Sequence, residues 1–167
     1  FEMLEMVQNL DTLEASAIQE GVDYVRKHWE FEEPCEDALI ETGVKYALAI
    51  GKKIKERGYR GISLVDVDGM KKLCGFPPAM VFMLLEHYYG VYSIPENDIM
   101  GLATQAIAAE LTGQHVPYME YYEFFDDSML IGVPDYIPLA ITQGPVRVRP
   151  TAFGLLNASL LNVSKPK

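Results

Sequence analysis

Basic residues are scarce in this chain: 14 lysines and arginines stand against 24 aspartates and glutamates over 167 residues, a formal net charge of −10. That balance withdraws the electrostatic attraction on which nucleic-acid binding depends. The few lysines that do cluster, Lys52, Lys53 and Lys55 beside Arg57, are interleaved with apolar residues as on one side of a helix. Cysteine is scarcer still. Cys35 and Cys74 are too few and too far apart for a disulfide framework or a zinc site, and no Cys-x-x-Cys is present, so a reducing cytoplasm is the expected compartment. No stretch approaches the roughly 18 uninterrupted apolar residues of a membrane helix, so no membrane partner is expected, and no secretory signal pattern is visible. Internal repeats and low-complexity tracts are absent. The chain starts at Phe1 rather than Met, and its last residues, SLLNVSKPK, break off within an apolar pattern; it is expected to be a piece of a longer protein.

What is there suffices for one well-buried core, or for a domain with part of a second. Residues 1–10, with Phe1, Leu4, Met6, Val7 and Leu10, read as an arm from a preceding domain or as a short surface helix. Asp11 or Thr12 then caps a helix to about Trp29, striped by Leu13, Ala17, Ile18, Val22, Val25 and Trp29. The acidic run EFEEPCE over 30–36 is a solvated connection rather than a metal cluster. A second helix over 36–57 turns Leu39, Ile40, Val44, Ala47, Ile50 and Ile54 toward a core and stops at Gly58. A strand follows over 59–65, then the turn Asp66-Val67-Asp68-Gly69, a short helix over 70–73, and a helix opened by Phe76-Pro77-Pro78 that runs to Gly90.

A short apolar strand over 91–94 leads into another helix, argued by Ile99, Leu102, Ala103, Ala106, Ile107 and Leu111, with Asn97 or Asp98 as N-cap and Gly113 as stop. VPYMEYYEFF reads as a firmly packed strand, Asp126 and Asp127 as a tight turn, and 129–133 and 146–149 as further strands, the last with one wet face. Pro134, Pro138, Gly144, Pro145 and Pro150 break this part into short β segments. The order helix, strand, helix, strand, helix predicts an α/β fold: a three-layer Rossmann-like domain with a mostly parallel sheet that includes 62–65 and 91–94, followed by the start of a β-rich domain.

Two carboxylates stand out within this frame. Glu96 lies where a strand hands over to a helix, the place where open α/β sheets put their ligand groups; Glu120, 24 residues on, is an acid between Met119 and Tyr121 in an otherwise apolar run. The plainer reading makes Glu96 a first-turn acid favoured by the helix dipole and Glu120 a wet-face residue beside Glu123 and Asp126. Asp66 and Asp68 compete as a site: two aspartates one residue apart after a strand suit a phosphotransfer enzyme of the haloacid dehalogenase type, although the further groups such a site needs are not assignable, and a helix-starting turn accounts for them as well. Met70, Met80 and Met83 suit core filling, and His87 beside Tyr88 suits a neutral packed histidine.

The stretch ENDIMGLATQAIAAELTG followed by YMEYYEF resembles the metal-site region of the L-fucose isomerase and L-arabinose isomerase group of sugar isomerases, in which a Glu opens a helix, the helix closes at a small-residue turn, and a second carboxylate follows in the next strand. GMKKLCGFPPAMVFMLLEHYYGVYSIPEND is similar to the segment leading into that Glu, so the likeness covers about residues 58–125. It implies that 1–113 is the middle α/β domain, that 114–167 begins the β-rich carboxyl-terminal domain, and that the site lies in the cleft between them. It implies further a monosaccharide substrate such as fucose or arabinose, a homo-oligomer, and Mn²⁺ or another divalent cation held by Glu96 and Glu120, which also serve as acid and base. A non-catalytic oligomerisation or carbohydrate-binding relative is the alternative.

The chemistry suits such groups. Moving a proton between C1 and C2 of a sugar through an enediol needs a proton shuttle and stabilisation of oxygen charge, and hard oxygen ligands favour Mn²⁺ or Mg²⁺ over zinc. The family site also uses a histidine. In arabinose isomerases it follows the second Glu closely, yet 131–135 here has none; in fucose isomerases it comes later than this chain reaches. His115 lies between the two acids in sequence, but nothing in the resemblance supports it as a ligand, and it reads as a turn or surface residue.

Overall fold

The computed structural model describes residues 2–132, 137–150, 160–162 and 165–166. Val133, the last residue of the strand expected over 129–133, and Pro134 and Asp135 lie outside them, as do residues 151–159. The architecture mixes helices with small sheets, and among the described residues two strand pairings are parallel and three antiparallel, so the mostly parallel sheet expected from the sequence is seen only in the pairs Trp29–Phe31 with Val146–Pro150 and Gly61–Ser63 with Tyr92–Ile94.

The body is built on α3 (Asp37–Arg57), whose Ile40, Val44, Ala47, Ile50 and Ile54 are all buried. α4 (Ala79–Tyr89) packs against it. Seven consecutive residues of α4, Ala79 to Leu85, are buried, as expected of a helix that is apolar all round. Close approach depends on small residues: a Cβ on Gly51 would run into the Tyr89 ring. Pro78 takes the N-cap of α4 rather than a place in its first turn. On the other side lies a helix, α1 (Met3–Leu10), with Met6 buried. Glu5 fixes it three times, accepting the Glu2 N–H at 3.0 Å and pairing with Arg57 and Lys53 of α3 at 2.5 and 3.2 Å. Thr12 does not cap the next helix. Its hydroxyl donates to the Asn9 carbonyl at 2.8 Å and so closes α1, while Glu14 takes the N-cap of α2 (Ala15–His28).

Two parallel pairings organise the strands. β1 (Trp29–Phe31), expected as the end of a helix and the start of an acidic turn, pairs with β7 (Val146–Pro150), and β8 (Leu160–Asn162) adds antiparallel to β7. Val146 and Val148 are buried and Arg147 is exposed, the one wet face that the alternation predicts. β2 (Gly61–Ser63) pairs in parallel with β3 (Tyr92–Ile94), within the strands expected over 59–65 and 91–94. One face of this pair meets α5 (Ile99–Thr112), since a Cβ on Gly61 would touch Leu102; on the other, Ile62 joins the core that holds α3 and α4.

Three local expectations are corrected. The α5 stripe faces outward: Ile99, Ile107 and Leu111 are exposed, and the inward face is Gln105 and Ala109. The β2–β3 pair, two strands wide, is too narrow to cover the apolar row, which lines an open groove of about 480 Å³ with Arg60, Gly61 and Tyr92. Residues 66–73 form a π-helix (Asp66–Leu73) instead of a turn and a short α-helix. The strand containing Glu120 does not pack firmly. β4 (Glu120–Phe124) and β5 (Met129–Gly132) make an antiparallel hairpin whose Tyr121, Phe124, Phe125, Met129, Leu130 and Ile131 are exposed. The remaining strands, β6 (Thr142–Gln143) and β9 (Lys165–Pro166), form a short antiparallel pair. Among the described residues no helix is long and apolar enough to cross a membrane.

Candidate functional site

Because β2 and β3 run in parallel with Ser63 opposite Ile94, the segments leaving both strands emerge at one edge. Three hydrogen bonds join them there. The Ser63 hydroxyl donates to the Pro95 carbonyl at 3.1 Å, the Asn97 N–H to the Leu64 carbonyl at 2.9 Å, and the Glu96 N–H to Asp66 Oδ1 at 3.1 Å. The backbone so held is unusual. Glu96 and Asn97 both adopt positive φ, 66° and 54°. Such a conformation costs a non-glycine residue on the order of 1–3 kcal/mol and persists where surrounding contacts impose it. Asp98 then caps α5, its Oδ1 accepting the Gly101 N–H at 2.8 Å, as the sequence predicts. Glu96 is therefore displayed, exposed, two residues ahead of a capped helix start.

Asp66 is the buried counterpart, 1% exposed. Its Oδ2 pairs with Lys71 Nζ at 3.1 Å, and the Lys71 side chain is itself only 14% exposed. The π-helix makes this pair. Its hydrogen bonds close five residues apart, Met70 N–H to the Val65 carbonyl and Cys74 N–H to the Gly69 carbonyl, so residues five apart are brought over one another. Asp68 takes no part: it is exposed and pairs with Lys72 at 2.6 Å. The two aspartates thus diverge, one into the body and one into solvent, which disfavours a shared magnesium of the phosphotransfer kind.

Glu120 stands at the base of the β4–β5 hairpin, half-buried, with Gly132 as its cross-strand partner. It lies on a different element from the Asp66–Glu96 cluster. As donors, Glu96 and Glu120 offer the hard oxygens that Mn²⁺ or Mg²⁺ take. Asp66 is committed elsewhere, one oxygen to the Glu96 amide and the other to Lys71. Among the described residues, no three or more His, Cys, Asp or Glu side chains are grouped so as to hold a metal ion. An open cleft of about 310 Å³ runs beside the strand edge, lined in part by Ser63, Leu64, Asn97, Ile99 and Leu102, within the range of small-molecule pockets.

The histidines lie apart from this edge cluster. His115 Nδ1 is 3.5 Å from Glu86 Oε1, and Glu86 also accepts the Leu139 and Ala140 N–H groups at 2.6 and 3.2 Å. His87 stacks on Tyr24 with ring centroids 4.0 Å apart, and burial, then His28, holds its pKa below the ordinary value. Met70, Met80 and Met83 are core residues. Lys71 and the clamping role of Asp66 were not foreseen. The five-residue interval between an Asp and a Lys after a strand is the one signal that points to them. No family model and no curated protein matches the chain.

Proposed function

We propose that the chain belongs to a metal-dependent aldose–ketose isomerase, with residues 1–113 as its middle α/β domain and 114–167 as the beginning of a β-rich carboxyl-terminal domain. The observation that carries this is the display of Glu96: an acid in a strained, three-point-anchored turn at the edge of a parallel strand pair, just before a capped helix. The finer fold follows the same reading. α5 on one face of β2–β3 and α3 with α4 beyond the other is one slice of a three-layer Rossmann-like sandwich whose sheet is wider in the whole protein.

In this reading Glu96 and Glu120 hold a divalent cation such as Mn²⁺, which when bound supplies Lewis-acid stabilisation of charge on the sugar oxygens. The chain's own contribution is proton movement. A carboxylate of the pair would take the proton from C2 of the aldose and return it to C1, while a hydroxyl proton passes from O2 to O1, so that the enediol closes to the ketose and the carboxylate ends as it began. The turn at Glu96 fixes that carboxylate in advance of binding, which spares reorganisation during the reaction. The cleft lined by Asn97 and Ser63 offers room and polar groups for a monosaccharide.

A non-catalytic oligomerisation or carbohydrate-binding role is favoured by one separate feature, the exposed aromatic and aliphatic residues of the β4–β5 hairpin, of which Tyr121 is 67% and Phe124 71% exposed; patches of this kind mark contact surfaces. Incubating the protein with Mn²⁺ and a panel of aldoses and measuring ketose separates the two. Ketose formed from at least one sugar is the expected result. Sugar binding with no ketose from any of them assigns the second reading.

A further inference from the structure

We propose that Asp66 is the positioning residue of this site: through its Oδ1 it holds the Glu96 amide, imposes the left-handed turn at Glu96 and Asn97, and thereby aims the Glu96 carboxylate. The assignment rests on the reading of Glu96 as an acting carboxylate, and it adds a residue that the resemblance does not supply.

Each link of the argument is structural. A fully buried carboxylate needs compensation from partners that saturate its oxygens, and Asp66 has two, the Lys71 ammonium and the Glu96 N–H. The Lys71 contact exists because residues 66–73 wind as a π-helix, a rare element that is frequent at functional sites. A surface turn that served only to join β3 to α5 would not need a buried ion pair beneath it. The strain runs the same way. Two successive positive φ angles at non-glycine residues persist only where contacts over-determine them, and here those contacts are Asp66 Oδ1 for Glu96 and the Leu64 carbonyl for Asn97. The order of cause is then π-helix, buried Asp66–Lys71 pair, fixed amide, outward Glu96. Groups that orient an acting carboxylate from behind typically change metal affinity or activity by about 10- to 100-fold when removed.

Three variants test this in the whole protein, read by amide hydrogen exchange at 96 and 97, by Mn²⁺ titration, and by kcat and KM on a turned-over sugar. Asp66→Ala is expected to lose exchange protection at those two amides, to weaken Mn²⁺ binding by about 10- to 100-fold, and to lower kcat with little change in KM. Asp66→Asn keeps an oxygen that accepts the Glu96 N–H and is expected to recover most of both losses. Should Asp66→Ala fail to fold, the double variant Asp66→Asn with Lys71→Met, which keeps the acceptor and removes the buried charges together, is expected to retain the protection and Mn²⁺ affinity; a folded double variant that loses them overturns the proposal. So does a folded Asp66→Ala with unchanged exchange at 96 and 97, or one with released amides but wild-type Mn²⁺ affinity and kcat. Failure of the isomerase reading shows itself differently, as Glu96→Gln that leaves Mn²⁺ affinity and turnover intact, and the exchange arm still decides whether Asp66 holds the turn.

Discussion

Glu96 and Glu120 sit in opposite kinds of surroundings. The turn that carries Glu96 is fastened to a packed body by hydrogen bonds from Ser63, Glu96 and Asn97 and by a buried aspartate. The hairpin that carries Glu120 is fastened chiefly to itself, with a register shift between Tyr121 and Glu123 and with most of its large apolar side chains in solvent. A lone two-stranded hairpin is marginally stable in water. The backbone at one carboxylate is therefore fixed by the body of the fold, while the other stands on a hairpin whose apolar side chains are left in solvent. The difference shows that preorganisation at a sheet edge comes from saturated backbone groups beneath the acid rather than from the acid's place in the sequence.

The largest expected effect tests whether both acids act at all. Glu96→Gln and Glu120→Gln are each expected to lower turnover by roughly 10²- to 10⁴-fold while leaving the melting temperature close to that of the parent. Retained activity in either variant removes that residue from the mechanism. The next contrast is in stability. Phe82, fully buried on α4, is expected to cost about 3–5 kcal/mol when cut to Ala, and Phe124 on the hairpin less than about 0.5 kcal/mol, both read from urea unfolding. A large loss at Phe124 would show that the hairpin is already held by the body.

A smaller effect separates strain from function in the clamped turn. Asn97→Gly relieves the positive φ at that position, and after the greater freedom of the unfolded glycine chain is subtracted it is expected to stabilise by about 1 kcal/mol while reducing kcat; a gain in both would mean that the strain serves no purpose. The smallest concerns the body alone. Burial holds the His87 pKa below 6.5, so between that depressed folded value and 6.5 the unfolded chain binds more protons than the folded one. Stability is accordingly complete above about pH 6.5 and declines as pH falls through the folded pKa. A slight drop of melting temperature on acidification, removed in His87→Phe, is the expected result, and an unchanged drop in that variant assigns it to other groups.

Much of the body was legible from local signals. The α3 stripe, the Asp98 cap, the Gly113 stop and the two short strands each depend on neighbours within a few residues. What was not legible depended on distant partners. β1 is three residues long and is a strand because Val146 to Val148 lie beside it, which no window around Trp29 contains. The apolar period of α5 was correct, yet which row faces inward is decided by the width of the sheet below it. The π-helix leaves no trace in hydrophobic period, since its distinction is one wider hydrogen-bonded turn. Of the candidate site, the strand-to-helix junction that carries Glu96 is visible in sequence; the aspartate beneath it looked like part of a surface turn because burial is a property of the assembled body.

The parallel pairing of Trp29 with Val146 has a consequence for the order of events during synthesis. More than a hundred residues separate the two strands, so the loop that they close cannot form until all of that intervening chain has been made. At about 5–20 residues per second, the β1 edge waits on the order of ten seconds for its partner, while the packing of α1 and α4 on α3 and the β2–β3 pairing are already available. During that interval an unpaired strand flanked by Trp29 and Phe31 faces the crowded exit of the ribosome, and unpaired edges are where chains join wrongly. The acids within and just after it, Glu30, then Glu32, Glu33 and Glu36, place repelling charge at that edge for as long as it stays open.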